Sequence, residues 1–265
     1  MTSNPSARRA ALITGASAGI GAELARVFAA NKHDLVLVAR RRDALEALAG
    51  QLEGKHGISA TVIVDDLGDP EAPERIFAAV RAARIDVDVL VNNAGFGLGG
   101  EFSETPIERE MTMVQVNVTS LMQLTKLFVA PMLQRHKGYV LNVASTAAFF
   151  PGPMMSVYYA TKAFVLSFSQ ALAEELSSSG IVVSCLCPGP TETEFASVAQ
   201  VSKAKLFDGN VADAREVAEF GYRAMMAGER VAIQGARNKL LVQAQRFVPR
   251  SLIARAVKKL QDSRN

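Results

Sequence analysis

Short runs of apolar residues alternate along this chain with segments in which apolar residues recur every three or four positions. The short runs predict buried strands, and the periodic segments predict amphipathic helices. The predicted strands span residues 10–13, 34–39, 58–65, 87–92, 139–144, 181–187 and 231–233. Because strands and helices alternate without a break, we expect a single α/β domain with a doubly wound parallel sheet covered by helices on both faces.

Helical periodicity follows each of the predicted strands. Helices are predicted over residues 20–28, 40–54, 69–83, 104–136, 156–178 and 213–226. Asp69 is expected to cap its helix, with Pro70 at the first helical position. Residues 188–207 are loop-like at first and then weakly helical, and 194–207 is a candidate lid.

Three glycines follow the first strand. Gly15, Gly19 and Gly21 lie in the turn 14–21 that leads into the first helix. A residue without a Cβ lets the backbone turn tightly against a bulky group, and the free N–H groups of a helix N-terminus favour a pyrophosphate. The turn therefore predicts a dinucleotide site. Its spacing, Thr-Gly-x-x-x-Gly-Ile-Gly, departs from G-x-G-x-x-G, and a purely structural turn is the alternative.

Composition favours one folded domain in a reducing compartment. Of 265 residues, 49% are hydrophobic and 21% are charged, which is enough apolar surface for a large core. Cys185 and Cys187 are separated by one residue in an apolar run, a spacing that favours core thiols over a disulfide. The start of the chain lacks the apolar stretch of a signal peptide, and no run of about 18 apolar residues follows. We therefore expect a cytoplasmic protein.

Positive charge is concentrated at the C-terminal end. The net charge is +3, yet the residues from Arg230 onward carry +8 and those before it carry −5. This local basicity argues against a nucleic-acid-binding protein. We divide the domain into a main part, 1–235, and a basic extension, 236–265, predicted as two amphipathic helices separated at Pro249. The extension either packs on protein, which is the favoured alternative, or touches a membrane surface.

Further motifs follow the later strands and complete a recognisable series. They are Asn92-Asn93-Ala94-Gly95, Asn117, Ser145, Tyr158-x-x-x-Lys162 and Pro188-Gly189-x-x-x-Thr193. With the glycine turn, this series resembles the short-chain dehydrogenase/reductase family over nearly the whole chain. The resemblance implies a Rossmann-like dinucleotide-binding and catalytic domain, and a homodimer or homotetramer.

The resemblance also implies which residues bind the dinucleotide. They are Gly15, Ser17, Gly19, Ile20, Gly21, Arg40, Asp66, Leu67, Asn93, Ala94, Gly95, Tyr158, Lys162, Pro188, Gly189 and Thr193. Asp66 is similar to the family's adenine-contacting acid, and the neighbouring Asp65 is the competing candidate.

The end of the second strand indicates which dinucleotide binds. NAD sites usually place an acid there, and that acid would repel a 2′-phosphate. Here Ala39 is followed by Arg40, Arg41 and Arg42. The planar fork of Arg40 suits phosphate oxygens, whereas the other two arginines fit a solvated helix start as well. We therefore predict NADP(H), although Ala18 stands where some family members have a further basic residue.

Tyr158 and Lys162 project side by side because residues four apart share a helix face. A phenol is a poor base near neutrality, and a neighbouring ammonium lowers its pKa. We therefore predict that Tyr158 exchanges a proton with the substrate oxygen while Lys162 tunes it and holds the nicotinamide ribose. Ser145 would bind the carbonyl oxygen, and the resemblance implies that Asn117 holds a water. Tyr159 also lies near Lys162, but the family spacing selects Tyr158.

The predicted function is hydride transfer between NADP(H) and an apolar ketone or secondary alcohol. Apolar loop segments at 96–98 and 149–155 favour such a substrate, although packing beneath the lid explains them equally well. The alternatives are a non-catalytic NADP(H)-binding regulatory protein and a membrane-peripheral reductase. The three histidines, His33, His56 and His136, stand apart from any second ligand, so no metal site is predicted.

Overall fold

The computed structural model describes residues 8–199 and 211–261. Its centre is a seven-stranded parallel sheet in the order β3-β2-β1-β4-β5-β6-β7. The strands are β1 (Arg8–Thr14), β2 (Asp34–Ala39), β3 (Ala60–Val64), β4 (Ile85–Asn92), β5 (Gly138–Val143), β6 (Ile181–Cys187) and β7 (Val231–Ile233). The predicted doubly wound, Rossmann-like single domain is confirmed.

Helices connect the strands and continue past the sheet. They are α1 (Gly19–Ala30), α2 (Arg42–His56), α3 (Ala72–Ala82), α4 (Ile107–Val114), α5 (Leu121–Arg135), α6 (Ser156–Glu175), α7 (Phe195–Val198), α8 (Ala214–Met226), α9 (Ala236–Ala244) and α10 (Arg250–Gln261). A π-helical turn spans Gln115–Ser120, and 3₁₀ turns span Thr146–Phe149 and Gln245–Phe247.

The sheet is buried on both faces. Ala11 and Ile13 of β1 pack with buried residues of α1, α2 and α8, whereas Ala10 and Leu12 pack with those of α3, α5 and α6. Successive side chains of a strand point to opposite faces. A strand covered by helices on both sides therefore needs apolar residues at every position, which is why continuous apolar runs predicted these strands.

Two predicted helices differ from the structure. Helix α3 begins at Ala72 rather than Asp69, and the Asp69 carboxylate instead accepts a hydrogen bond from Glu71 N at 2.9 Å in the preceding turn. The prediction of Asp69 as helix cap, with Pro70 at the first position, was wrong. The stretch 104–136 is largely helical, but the π-helical turn separates α4 from α5.

The C-terminal extension forms the two predicted helices, α9 and α10, with the break at Pro249. Val242, Ile253 and Gln261 are buried, so these helices pack against the rest of the domain. The division into 1–235 and 236–265 stays a prediction, and 262–265 lie outside the described residues. Residues 200–207 of the predicted lid also lie outside them. Over the described ranges, no helix is long and apolar enough to span a membrane.

A buried polar chain ties two strands to two helices near the centre of the sheet. The amide nitrogen of Asn92 donates to Thr125 Oγ1 and to Asn142 Oδ1, each at 2.9 Å. The amide nitrogen of Asn142 donates to Ser169 Oγ, also at 2.9 Å. These four side chains join β4, β5, α5 and α6. Because buried polar groups are costly when unpaired, each partner depends on the others.

We predict that Asn142→Ala lowers the free energy of unfolding by about 2–4 kcal/mol, because it removes one buried hydrogen bond each from Asn92 and Ser169 and opens a small cavity. Urea unfolding would measure the change. The exposed Gln134→Ala substitution on α5 is the control and should shift the value by less than about 0.5 kcal/mol. Equal stability of the two variants would contradict a stabilising role for the polar chain.

Candidate active site

The predicted site residues gather where the strand order reverses. Strand β1 lies between β2 and β4, so the chain winds to opposite sides of β1. Such a reversal leaves a crevice at the carboxyl ends of the strands, and ligands of this sheet type bind there. The loops that follow β1 through β6 open on the same edge because all the strands are parallel.

Thr14 and Asn93 fasten the two sides of this crevice together. The Thr14 hydroxyl accepts hydrogen bonds from the backbone N–H groups of Asn93 and Ala94, both at 3.0 Å, and donates to Val91 O at 3.3 Å. The Asn93 amide donates to Thr14 O at 2.9 Å. The structure thus holds the glycine turn directly against the loop after β4.

The glycines are required by close contacts between loops. Gly15 has φ +67°, and a Cβ there would lie 2.8 Å from Asn93 Nδ2 and 3.0 Å from Ala94 Cα. Gly19 has φ +52°, and its Cβ would lie 2.9 Å from Thr193 Cγ2. Both positions therefore favour glycine through dihedral angle and space. The turn leaves a backbone-walled cradle at the N-terminus of α1, which fits a pyrophosphate.

Two arginines after β2 reach the cradle in different ways. Arg40 is exposed, and its Nη1 lies 3.6 Å from a carboxylate oxygen of Asp66. Arg41 donates to Ser17 Oγ at 3.3 Å and to Ser17 O at 3.1 Å, and it pairs with Glu194 at 3.1 Å. The sequence is compatible with a solvated Arg41 as well as with a phosphate ligand, and the structure places this arginine directly on the glycine turn.

The two acids after β3 have different partners. The Asp65 carboxylate binds Arg75 with N–O distances of 2.6 and 3.1 Å, and its side chain is 13% exposed. The Asp66 side chain is 53% exposed beside Arg40. Of the two candidates, Asp66 is therefore the acid with a carboxylate accessible at the crevice.

The ends of β5 and β6 lie side by side. Pro188 O accepts a hydrogen bond from Thr146 N at 2.8 Å and lies 3.5 Å from Ser145 Oγ. A Cβ on Gly189 would lie 2.6 Å from the side-chain nitrogen of Asn238 on α9, so this turn is covered by the C-terminal segment. Ser145 thereby faces the crevice from the end of its strand.

Tyr158 and Lys162 meet Ser145 at the start of α6. The Ser145 side chain lies close enough to the Tyr158 hydroxyl to lower the pKa of that phenol. Lys162 Nζ lies 5.9 Å from the centre of the Tyr158 ring and donates to Val143 O at 2.9 Å. Both side chains are buried. The structure therefore brings these three predicted catalytic residues together, and the fourth, Asn117, lies near Lys162.

Burial controls the protonation of this pair. Burial raises the pKa of Tyr158, and the influence of the nearby Ser145 side chain offsets part of that rise. Desolvation of the phenolate is thus the largest influence on the pKa of Tyr158, and the predicted lowering of this pKa by Lys162 stays a prediction. Burial likewise lowers the pKa of Lys162 to about 8, against the opposing influence of the Cys185 and Cys187 thiols.

Asn117 lies in the π-helical turn. Such turns often occur at functional sites. Its Oδ1 accepts from Phe96 N at 3.1 Å, and its Nδ2 donates to Phe96 O at 3.0 Å and to Thr161 Oγ1 at 3.1 Å. A Cβ on Gly95 would lie 2.9 Å from Asn117 Oδ1. Asn117 therefore fastens the loop after β4 to helix α6 beside Lys162.

The competing tyrosine points elsewhere. Tyr159 is buried, its ring packs over Gly152, and its hydroxyl accepts a hydrogen bond from Gln261 Nε2 at 2.7 Å. Its hydroxyl is thus occupied by Gln261, whereas Ser145 acts on the hydroxyl of Tyr158. The geometry therefore agrees with the family spacing in favouring Tyr158.

The family model of short chain dehydrogenases matches residues 9–204. The chain belongs to this family. It is 39% identical over 189 residues to the serine 3-dehydrogenase of Agrobacterium fabrum, covering 71% of this chain and 74% of that one.

Solved structures agree with this assignment. A short-chain dehydrogenase from Sphingobium yanoikuyae in complex with NADPH superposes with a TM-score of 0.80 at 35% identity, covering 91% of this chain and 94% of that one. The bulky-bulky ketone specific alcohol dehydrogenase from Comamonas testosteroni gives a TM-score of 0.76 at 32% identity, covering 90% and 92%.

In this short chain dehydrogenase, apolar side chains surround Tyr158. The buried members of the cluster are Leu98, Met113, Ala147, Met155, Tyr158, Tyr159 and Ala199, with Phe96, Phe150, Val157, Phe195 and Val257 packed against them. The Phe195 ring lies 5.2 Å from that of Tyr158. The predicted apolar segments at 96–98 and 149–155 thus contribute to one cluster with the candidate catalytic tyrosine.

Several contacts of the site join residues far apart in the chain, so no local sequence pattern predicts them. Thr14, Arg41 and Gln261 make contacts to residues far away in the chain. Leu67, a predicted cofactor residue, is buried and accepts from Ser120 Oγ at 2.7 Å through its carbonyl. Within the described ranges, no group of three or more His, Cys, Asp or Glu is arranged to hold a metal ion.

We predict that Tyr158→Phe lowers kcat/KM by at least about 100-fold, because it removes the hydroxyl expected to exchange a proton with the substrate oxygen. The affinity for NADPH should change little. Steady-state kinetics and fluorescence titration with NADPH would measure the two quantities.

Tyr159→Phe is the matched control, because it removes the same atom one residue away and breaks only the contact with Gln261. It should keep most of the activity. Retained activity in Tyr158→Phe together with lost activity in Tyr159→Phe would transfer the role to Tyr159.

Proposed function

We propose that the protein transfers a hydride between NADP(H) and an apolar ketone or secondary alcohol. Its class is that of an NADP-dependent oxidoreductase of the short chain dehydrogenase family. The observation that carries the finer proposal is the position of Tyr158, which lies in an apolar cluster with Lys162 Nζ 5.9 Å from its ring centre. Such a site presents one polar edge to a carbonyl group and apolar walls to the rest of the substrate.

The residues around the glycine turn fit NADP(H). The backbone cradle at Gly15 and Gly19 suits the pyrophosphate. At the end of β2, Ala39 stands where NAD sites usually have an acid, so no carboxylate at that position would repel the 2′-phosphate. We propose that Arg40 binds the 2′-phosphate, with Arg41 as a second guanidinium on the same loop. When bound, the cofactor supplies or accepts the hydride at its nicotinamide ring.

We propose separate roles for the three polar groups at the substrate carbonyl. Ser145 and Tyr158 both donate hydrogen bonds to the carbonyl oxygen and so stabilise the charge that develops there. The raised pKa of Tyr158 keeps the phenol protonated, as a proton donor requires in the direction of reduction. Lys162, whose pKa lies at about 8, replaces the proton and holds the nicotinamide ribose.

Asn117 is proposed as a positioning residue. Both polar atoms of its side-chain amide are hydrogen-bonded within the protein, to Phe96 and Thr161. The water that we propose beside Lys162 would therefore bind mainly to main-chain oxygens of the π-helical turn, where the usual helical hydrogen bonds are interrupted.

The polarity around Tyr158 favours an apolar substrate over an amino acid. The cluster consists of aliphatic, methionine and aromatic side chains, whereas recognition of a zwitterion calls for charged partners. The Agrobacterium relative is named for serine and the Comamonas structure for bulky ketones. Because the cluster is apolar, we propose that the substrate is an apolar ketone or alcohol rather than an amino acid.

The non-catalytic alternative is disfavoured by the assembly of Ser145, Tyr158 and Lys162 in one place. We further propose a homodimer or homotetramer, formed through the exposed apolar side chains of α5 and α6. These are Met122, Leu133 and Phe164. A cytoplasmic location is proposed from the free, buried thiols of Cys185 and Cys187.

We predict NADPH-dependent reduction of aryl or long-chain alkyl ketones, with little NADP-dependent oxidation of serine. A spectrophotometric screen at the nicotinamide absorbance, with Tyr158→Phe as the inactive control, would measure both. Oxidation of serine at the faster rate would overturn the apolar substrate. No turnover with any carbonyl or alcohol, despite NADPH binding, would favour the regulatory alternative.

For the cofactor, we predict that the unmodified protein binds NADPH more tightly than NADH. In Arg40→Ala the ratio of the two dissociation constants should fall by about tenfold or more, because a charge-assisted hydrogen bond to the phosphate is removed. Arg41→Ala should give a smaller loss. Arg42→Ala is the matched control, since Arg42 pairs with Glu46 at 3.2 Å on its own helix. Equal affinity of the unmodified protein for the two nucleotides would overturn the assignment.

A further inference from the structure

The C-terminal segment, residues 236–261, exposes an unusual number of large apolar side chains. They are Leu240, Leu241, Phe247, Val248, Leu252 and Leu260. Phe247, in the 3₁₀ turn between α9 and α10, is 89% exposed and is the most exposed large apolar side chain among the described residues. An accumulation of exposed large apolar side chains in one segment points to an interaction site.

Basic side chains accompany these apolar ones. The cationic residues with described side chains are Arg237, Lys239, Arg246, Arg255, Lys258 and Lys259, and the sequence has no acid between 236 and 261. Elsewhere, arginines such as Arg75 and Arg135 lie within 4 Å of carboxylates. Among the described residues, no carboxylate pairs with the six cations of the segment. The segment is therefore an uncompensated positive surface.

Helix α10 arranges the two kinds of side chain in adjacent stripes. Ile253, Val257 and Gln261 recur every four residues and face the domain. Leu252 and Leu260 form the next stripe and are exposed. Because residues four apart share a face, Arg255 and Lys259 form a further stripe beyond the leucines. A flat anionic layer could thus contact apolar and cationic groups at once.

We propose that residues 236–261 dock the protein on the surface of an anionic lipid bilayer. Phe247, Leu252 and Leu260 would enter the boundary between headgroups and acyl chains, and the arginine and lysine side chains would bind lipid phosphates. The segment would lie in the interface, held by apolar burial and by charge. The inner face of α10 would remain on the domain as the structure shows.

A second copy of the chain fits this surface less well. A two-fold interface brings the same patch of both subunits together, so cations without a carboxylate partner, such as Arg255 and Lys259, would be brought together from both copies. Burial of like charges without acids is unfavourable. The exposed side chains of α5 and α6 provide a separate apolar surface for an oligomer that lacks this excess of charge. Charge complementarity therefore selects an anionic layer.

Sedimentation of the full chain with vesicles tests the proposal. We expect binding to phosphatidylcholine vesicles that contain phosphatidylglycerol, little binding to phosphatidylcholine alone, and weaker binding at about 1 M salt, where the Debye length is roughly 3 Å. Phe247→Ser with Leu252→Ser should weaken binding, as should Arg255→Glu with Lys259→Glu. The charge reversal should cost about tenfold or more, since each basic residue contributes roughly 1 kcal/mol near an anionic surface.

The matched control is Lys55→Glu with Lys137→Glu, which changes the net charge equally at exposed sites outside the segment. It should bind vesicles like the unmodified protein. Melting temperature and NADPH affinity should be unchanged in every variant. A lower melting temperature would reveal misfolding, and a loss of NADPH affinity would reveal damage to the proposed oxidoreductase site. Absence of binding to anionic vesicles, or equal loss in the control, would overturn the proposal. A Phe247-dependent oligomer in sedimentation velocity, with no vesicle binding, would assign the surface to a second copy.

Discussion

The contact between the end of β1 and the loop after β4 is the constraint on which the site depends. The Thr14 hydroxyl receives two backbone N–H groups from Asn93 and Ala94, and this holds the loops together across the reversal of strand order. Only a residue without a Cβ fits at Gly15 in this arrangement. The glycine turn therefore serves two purposes. It packs against the loop after β4, and it leaves backbone N–H groups facing the crevice.

Burial of Tyr158 and Lys162 sets the electrostatics of the site. Desolvation disfavours the charged form of each group, so the phenol is held protonated while the ammonium loses its proton more easily than in water. The two shifts suit a proton donor and a group able to replenish it. They arise because α6 carries both side chains on one face and packs that face against the ends of β5 and β6.

Much of this arrangement could be predicted from the sequence, because strand periodicity and motif order are local properties. The strand 181–187 and the pair Tyr158 and Lys162 were predicted on that basis, and the fold is confirmed. What could not be predicted depends on distant contacts or on the balance of opposing energies. The interaction of Arg41 with Glu194 joins residues 153 positions apart, and the net pKa shift of Tyr158 follows from burial that no local pattern records.

The C-terminal helix connects the site to the surface of the molecule. Gln261 is buried against Tyr159, next to the candidate catalytic residue, while Leu252 and Leu260 face outward on the same helix. Val257 packs with the apolar cluster around Tyr158. A helix that is held on one side by the site and covered on the other by lipid would place the crevice close to the acyl chains, where apolar ketones partition. The basic extension would then bring the protein to the membrane that contains the proposed apolar substrate, and the apolar cluster would bind that substrate.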